Sequence, residues 1–133
     1  MKTLPAPAVP ISWGELLDKI TILEIKMEQL CAESARDNVK REVLLLRAIA
    51  EPVLTDSLGE VRELMAQLKS LNGALWDIEN KIRTKEAVSQ FDAGFIELAR
   101  SVYKLNDARG KLKHQINLAL SSELIEEKVY SKY

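Results

Sequence analysis

At 133 residues the chain has room for one domain with a real core, and 47% hydrophobic against 29% charged residues excludes a disordered polymer. A net charge of −1, spread almost evenly along the chain, gives no electrostatic case for nucleic acid or an anionic membrane. One cysteine, Cys31, excludes an internal disulfide and suits a reducing cytoplasm, and no apolar run approaches the ~18 residues of a membrane span.

We read one helical domain over residues 1–133, with an extended leader at 1–11 and a C-terminal tail at 121–133. Pro5, Pro7 and Pro10 fix φ in the leader and bias their predecessors away from helix. Ser12 then opens helix 1, with Glu15 three residues on completing a capping box. Trp13, Leu16, Ile20, Leu23, Met27 and Leu30 follow at spacings of 3, 4, 3, 4 and 3. Leu17, Ile22 and Ile25 widen that stripe, so helix 1 is expected to be central or to lie in an oligomer interface. Cys31, just past Leu30, reads as a small packed hydrophobe.

The polar stretch 33–38 predicts a turn. Helix 2 follows, with Val43, Leu46, Ala50 and Val53 on one stripe and Pro52 ending it. Ser57 with Glu60 forms a second capping box into a long helix over 58–88. There Val61, Leu64, Leu68, Leu71, Leu75, Ile78 and Ile82 recur at 3, 4, 3, 4, 3 and 4, a heptad seam. Gly73 inside it predicts close approach of another backbone. Asp92 is a good N-cap, and Phe91 could staple onto Ile96. Phe95, Leu98, Val102, Leu105, Arg109, Leu112, Ile116 and Leu120 form the partner seam of helix 4 over 93–120. The short link between the two seams predicts an antiparallel, coiled-coil-like hairpin, with Arg109 level with Leu71 and Asn72. The whole reads as an all-α antiparallel bundle of three to four helices. In the tail, Ile125, Val129 and Tyr130 could dock on a short helical turn.

Arg109 is the anomaly, because it falls in the middle of an apolar stripe. An unpaired guanidinium there would cost several kcal/mol, so a carboxylate must lie within reach. Glu24 and Glu79 are the candidates, with Asn72 or Asn106 completing the hydrogen bonds and Lys113 alongside. Were the pair structural, Arg109→Leu is expected to be neutral or mildly stabilising, and loss of the acid alone to cost about 3–5 kcal/mol. Trp76 is expected on the shoulder of helix 3 near Tyr103 and Lys104. Arg100, Lys104, Lys111 and His114 read as a solvated face. One histidine without cysteine partners gives no metal site, and no Gly-rich phosphate loop or Ser/His/Asp set is present, so no cofactor is expected. A chorismate-mutase-like enzyme would match in architecture only.

The strings ISWGELLD, KITILEIK, LWDIENKIR, FIELARSVYKLNDARGKLKHQIN and SELIEEKVY resemble an uncharacterised bacterial family of small all-helical proteins, a domain of unknown function of similar length. The resemblance covers nearly the whole chain and implies an association with glycan and cell-envelope biosynthesis. Its motifs imply as site candidates Glu15, Asp18, Lys19, Lys26, Trp76, Glu79, Arg83, Arg100, Tyr103, Asn106, Asp107, Arg109 and Lys113. Gly110 within helix 4 departs from the family picture and weakens the case for a rigid helix there. The leading expectation is a cytoplasmic, non-catalytic interaction or scaffold module that self-associates, with Ile22 and Ile25 suggesting a homodimer. The alternative is a site between helices 1, 3 and 4 for an anionic small molecule such as a sugar phosphate or nucleotide sugar.

Overall fold

The structure, a computed structural model, describes residues 2–57, 59–129 and 131. Among these the chain is all-α, with four helices and no strand: α1 (Trp13–Gln29), α2 (Glu33–Asp56), α3 (Gly59–Ala87) and α4 (Ala93–Ala119). No helix among the described residues is long and apolar enough to cross a membrane. The leader has no regular structure from residue 2 to 12, as its prolines predict.

α1 touches each of the other three helices, and α3 packs most extensively against α4. The core therefore forms around α1, where Leu16, Leu17, Ile20 and Leu23 meet Val43 and Ala50 of α2, Val61, Leu64 and Leu68 of α3, and Ile116 of α4. Ile25 is also buried within the chain and Ile22 is half-buried, so helix 1 is central.

Several sequence expectations fail for identifiable reasons. The break between α1 and α2 lies at 30–32, and 33–38 is already helical. The polar residues there mark a solvated first turn and a half of α2, not a bend. α2 also runs through Pro52 to Asp56. Proline removes one amide and leaves the Ala48 carbonyl without its helical donor, and both residues are exposed, so water can replace the bond. Ser57 does not cap α3. It is the C-cap of α2, and its hydroxyl donates back to the Leu54 carbonyl (3.0 Å). Leu58, the expected first residue of the long helix, lies outside the described residues. Cys31 is exposed, because the chain leaves the helix just before it.

Gly73 has nothing within 4 Å of where a Cβ would stand, so it accommodates no neighbouring backbone. Asp92 does cap α4, accepting from the Phe95 amide (2.9 Å), and Phe91 stacks edge-on against Phe95. α3 and α4 end alike without glycine. Ser89 (φ 53°) and Ser121 (φ 51°) take the left-handed conformation. The Gln90 amide then donates to Lys85 O and the Ser122 amide to Asn117 O, the long bond of a Schellman ending. The tail after Ser121 is not helical. Ile125 is partly exposed and Val129 fully so, which rules out docking of Val129, and Tyr130 lies outside the described residues.

Candidate functional site

The polar anomaly at Arg109 resolves onto α1. Arg109 Nε and Nη2 donate to Asp18 Oδ1 (2.9 Å) and Oδ2 (2.5 Å), a bidentate pair. The acid is Asp18, not Glu24 or Glu79. Glu24 is engaged by Arg47, and Glu79 is exposed on α3. Asn72 completes the hydrogen bonds as expected, its Nδ2 donating to Asp18 Oδ1 (2.9 Å) and Thr21 Oγ1 (2.9 Å). Thr21 in turn donates to the Asp18 carbonyl (2.7 Å). One carboxylate thus ties α1 to both α3 and α4, and Asn72 and Arg109 meet on it from the two sides.

The pair is lopsided. The Asp18 side chain is 1% exposed and that of Arg109 28%. The bond to the carboxylate raises the Arg109 pKa above its ordinary value, against the opposing effect of burial.

One turn along α4, Lys113 is buried and donates to Glu15 Oε2 (2.6 Å) and Glu126 Oε2 (3.1 Å). Burial alone would push its pKa down, but the two carboxylates outweigh burial and the pKa stands raised. Glu15 therefore faces α4 instead of closing the capping box. The start of α1 is satisfied by other groups. Trp13 N donates to Ser122 Oγ (3.2 Å), Gly14 N to Asn117 Oδ1 (2.7 Å), Glu15 N to Ser12 Oγ (3.1 Å) and Leu16 N to Ser12 O (3.1 Å). With Leu16 N to Ser12 O as the first helical bond, the three amides of Trp13, Gly14 and Glu15 that the helix leaves without internal partners are accounted for, two of them by α4 and its ending. Gly14 makes this possible: a Cβ there would run into the backbone carbonyl of Lys113.

Of the motif residues, Glu15, Asp18, Lys19, Lys26 and Arg109 line one cleft of 180 Å³ along α1, closed on its far side by Glu42 of α2. Lys19 pairs with Glu42 (3.3 Å). Lys113 lies behind it through Glu15. The cleft lies between α1, α2 and α4, and α3 reaches it only through Asn72. Trp76 is half-buried and lines a separate groove with Ile25, Gln29 and Gly73, on the α1 side of α3. Glu79, Arg83 and Arg100 are exposed along α3 and α4, and Tyr103, also exposed, hydrogen-bonds Arg100. Asn106 and Asp107 are half-buried, and Asp107 lines a depression under the tail with Lys104, Lys111 and His114. Lys111 is exposed while His114 is half-buried, so that face is only partly solvated.

Gly14, Thr21 and Asn117 were not singled out from the sequence. Gly14, Asp18, Thr21 and Ile25 fall at spacings of 4, 3 and 4, and all are buried. That is a second seam on α1, hidden from hydrophobic pattern reading because three of its members are small or polar.

Chemically, the network is closed. No buried side-chain nitrogen or oxygen among the described residues lacks a hydrogen-bond partner. Its two cations, Arg109 and the buried Lys113, are held protonated, which suits anchoring and not proton abstraction at neutral pH. No group of three or more His, Cys, Asp or Glu among the described residues is placed to hold a metal ion.

Residues 8–133 match the family described as "Family of unknown function (DUF6165)", and the chain belongs to it. No curated protein and no solved structure matches the chain.

Proposed function

We propose that this member of the family is a non-catalytic helical interaction module that self-associates through a projecting arm formed by α3 and α4. One observation carries the reading: between Trp76 and Leu112 no residue is buried, although the apolar seams continue through that span. Ile78, Ile82, Phe95, Leu98, Val102 and Leu105 are each half-buried. α1 has 17 residues and α3 has 29, so at ~1.5 Å per residue α1 falls ~18 Å short of α3. We read α3 and α4 as an antiparallel, coiled-coil-like hairpin. Its matched seams, the short link at 88–92 and the meeting of Asn72 and Arg109 on Asp18 support that arrangement.

Two helices alone cannot enclose a seam, and four can. Near its base the hairpin is completed by α1. Along the arm a second copy supplies the same seam twice over. Charge permits it: residues 76–105 carry five acids (Asp77, Glu79, Glu86, Asp92, Glu97) and five bases (Lys81, Arg83, Lys85, Arg100, Lys104), so two arms meet without net repulsion. The face shared by Ile22 and Ile25 is not this surface, since the chain itself covers Ile25.

Light scattering with sedimentation equilibrium tests the proposal. The expected mass at tens of micromolar is twice 15.0 kDa. Ile82→Glu or Val102→Glu should return a helical monomer. Leu45→Glu, on the exposed face of α2, should leave the dimer intact. A wild-type monomer at high micromolar concentration refutes the proposal, and so does a dimer that only the α2 variant dissociates.

A further inference from the structure

We infer that the cleft along α1 is a binding site for a small oxyanion, held between Lys26 and Arg109. The argument begins with how the charges lining the cleft are spent. Asp18 is taken by Arg109, Glu42 by Lys19, and Glu15 by Lys113, which it shares with Glu126. Every acid facing the cleft therefore already has its cation. Lys26 is different. It lines the same cleft, is half-buried, and makes no ion pair among the described residues. Arg109 also keeps donor capacity, because Asp18 uses only Nε and Nη2 and the Nη1 group has no hydrogen bond among the described residues.

The two cations differ in freedom. Arg109 is fixed in place by its bidentate bond, so its remaining nitrogen is already oriented. Lys26 lies eight residues after Asp18 on α1, about two turns, on a flexible four-carbon arm that can close over a bound group. Ile22, midway in sequence between Asp18 and Lys26, adds apolar surface to the same cleft. A fixed guanidinium edge opposed by a mobile ammonium suits a phosphate or carboxylate.

Size narrows the class. At 180 Å³ the cleft is well below the ~300–1,000 Å³ of sites for drug-sized molecules. It can enclose an inorganic oxyanion or a short phosphorylated or carboxylated compound and is too small to enclose a nucleotide sugar. The site does not depend on self-association, since Lys26 and Arg109 lie outside residues 76–105, which form the arm.

Thermal unfolding and titration calorimetry at low ionic strength, with chloride matched throughout, test the inference. The probes are inorganic phosphate, succinate and glucose 6-phosphate. At least one should bind saturably with one site per chain, and comparing the three separates bare phosphate, a carboxylate and a phosphate ester. Lys26→Gln should weaken that binding at least tenfold while leaving the unprobed melting temperature unchanged, because Lys26 holds no structural partner. Lys40→Gln, an exposed lysine on α2, should bind as the wild type does. No saturable binding by any of the three probes overturns the inference, as does binding that Lys26→Gln retains in full.

Discussion

The Asp18–Arg109 pair inverts the usual expectation for a charge on an apolar stripe. Seen from α4 alone, Arg109 is the stranded group and leucine should replace it without loss. In the folded chain the acid is the buried partner, at 1% exposure, and the guanidinium at 28% can still reach water. Arg109→Leu therefore leaves a buried carboxylate with Asn72 as its remaining side-chain donor. The cheapest escape for Asp18 is to take up a proton. With a reference pKa of ~3.9, neutralisation costs ~1.36 kcal/mol per pH unit above that value, or ~4 kcal/mol at pH 7 and ~1.5 kcal/mol at pH 5. That sets a ceiling on the damage, and the one bond from Asn72 together with the better fit of leucine lowers it somewhat, to about 3 kcal/mol at pH 7.

Asp18→Asn does the opposite. It releases a guanidinium that can turn outward, so its cost is expected at about 1–2 kcal/mol, with no added pH dependence. Replacing both residues, as Asp18→Leu with Arg109→Leu, removes the buried charge with its partner and should cost less than Arg109→Leu alone. Urea unfolding of the three variants and the wild type at pH 7 and pH 5 measures all of these differences. The reasoning fails if Arg109→Leu costs less than 1 kcal/mol at pH 7, or if its cost is the same at both pH values.

Two glycines in helices should respond in opposite directions to alanine. Gly14→Ala places a methyl against the Lys113 carbonyl backbone and should destabilise by about 1–3 kcal/mol, whereas Gly73→Ala enters open space and should stabilise by about 0.5–1 kcal/mol, both read from thermal unfolding. Lys113 predicts weakness in alkali. Its folded pKa is raised above 10.5, so its contribution is complete below that pH and lost as pH rises through the folded value. A stability profile from pH 9 to pH 12 should therefore fall more steeply for the wild type than for Lys113→Met, and equal slopes would defeat the assignment.

The heptads made the long helices legible, because leucine and isoleucine at spacings of 3 and 4 leave few alternatives. Asp92 was legible as a cap for the same local reason. The helix boundaries around 30–38 and 52–58 were not, since exposure and irregularity produce the same polar signal in a sequence. The Arg109 anomaly was legible as a demand for a carboxylate, and Asn72 as its companion. The identity of the acid was hidden. Asp18 lies off the apolar stripe of α1 that pattern reading selects, and on a second stripe shared with Gly14 and Thr21. Hydrophobicity reports where large apolar groups go, and this seam is built from groups chosen to be small or to hydrogen-bond.

That second seam also sets the limits of the bundle. Gly14 lets the start of α1 approach the Lys113 backbone, and Asn117 and Ser122 then supply the acceptors its first amides need. Asp18 and Thr21 hold the middle of α1 to Asn72 and Arg109. Toward the end of α1, Lys69 reaches Glu28 (2.9 Å), and Trp76 lies beside Ile25 and Gln29. Beyond that point α1 has no residues left to offer, yet the α3 seam continues through Ile78 and Ile82 and the α4 seam through Leu105, Val102 and Leu98. Had selection required only a stable monomer, those positions could have turned polar with the loss of the covering helix, because half-buried apolar groups on two helices contribute little and invite association. On the proposed reading, the heptad that continues past its cover makes the arm a surface for another helix, and the closed polar network at its base the joint that holds it in place.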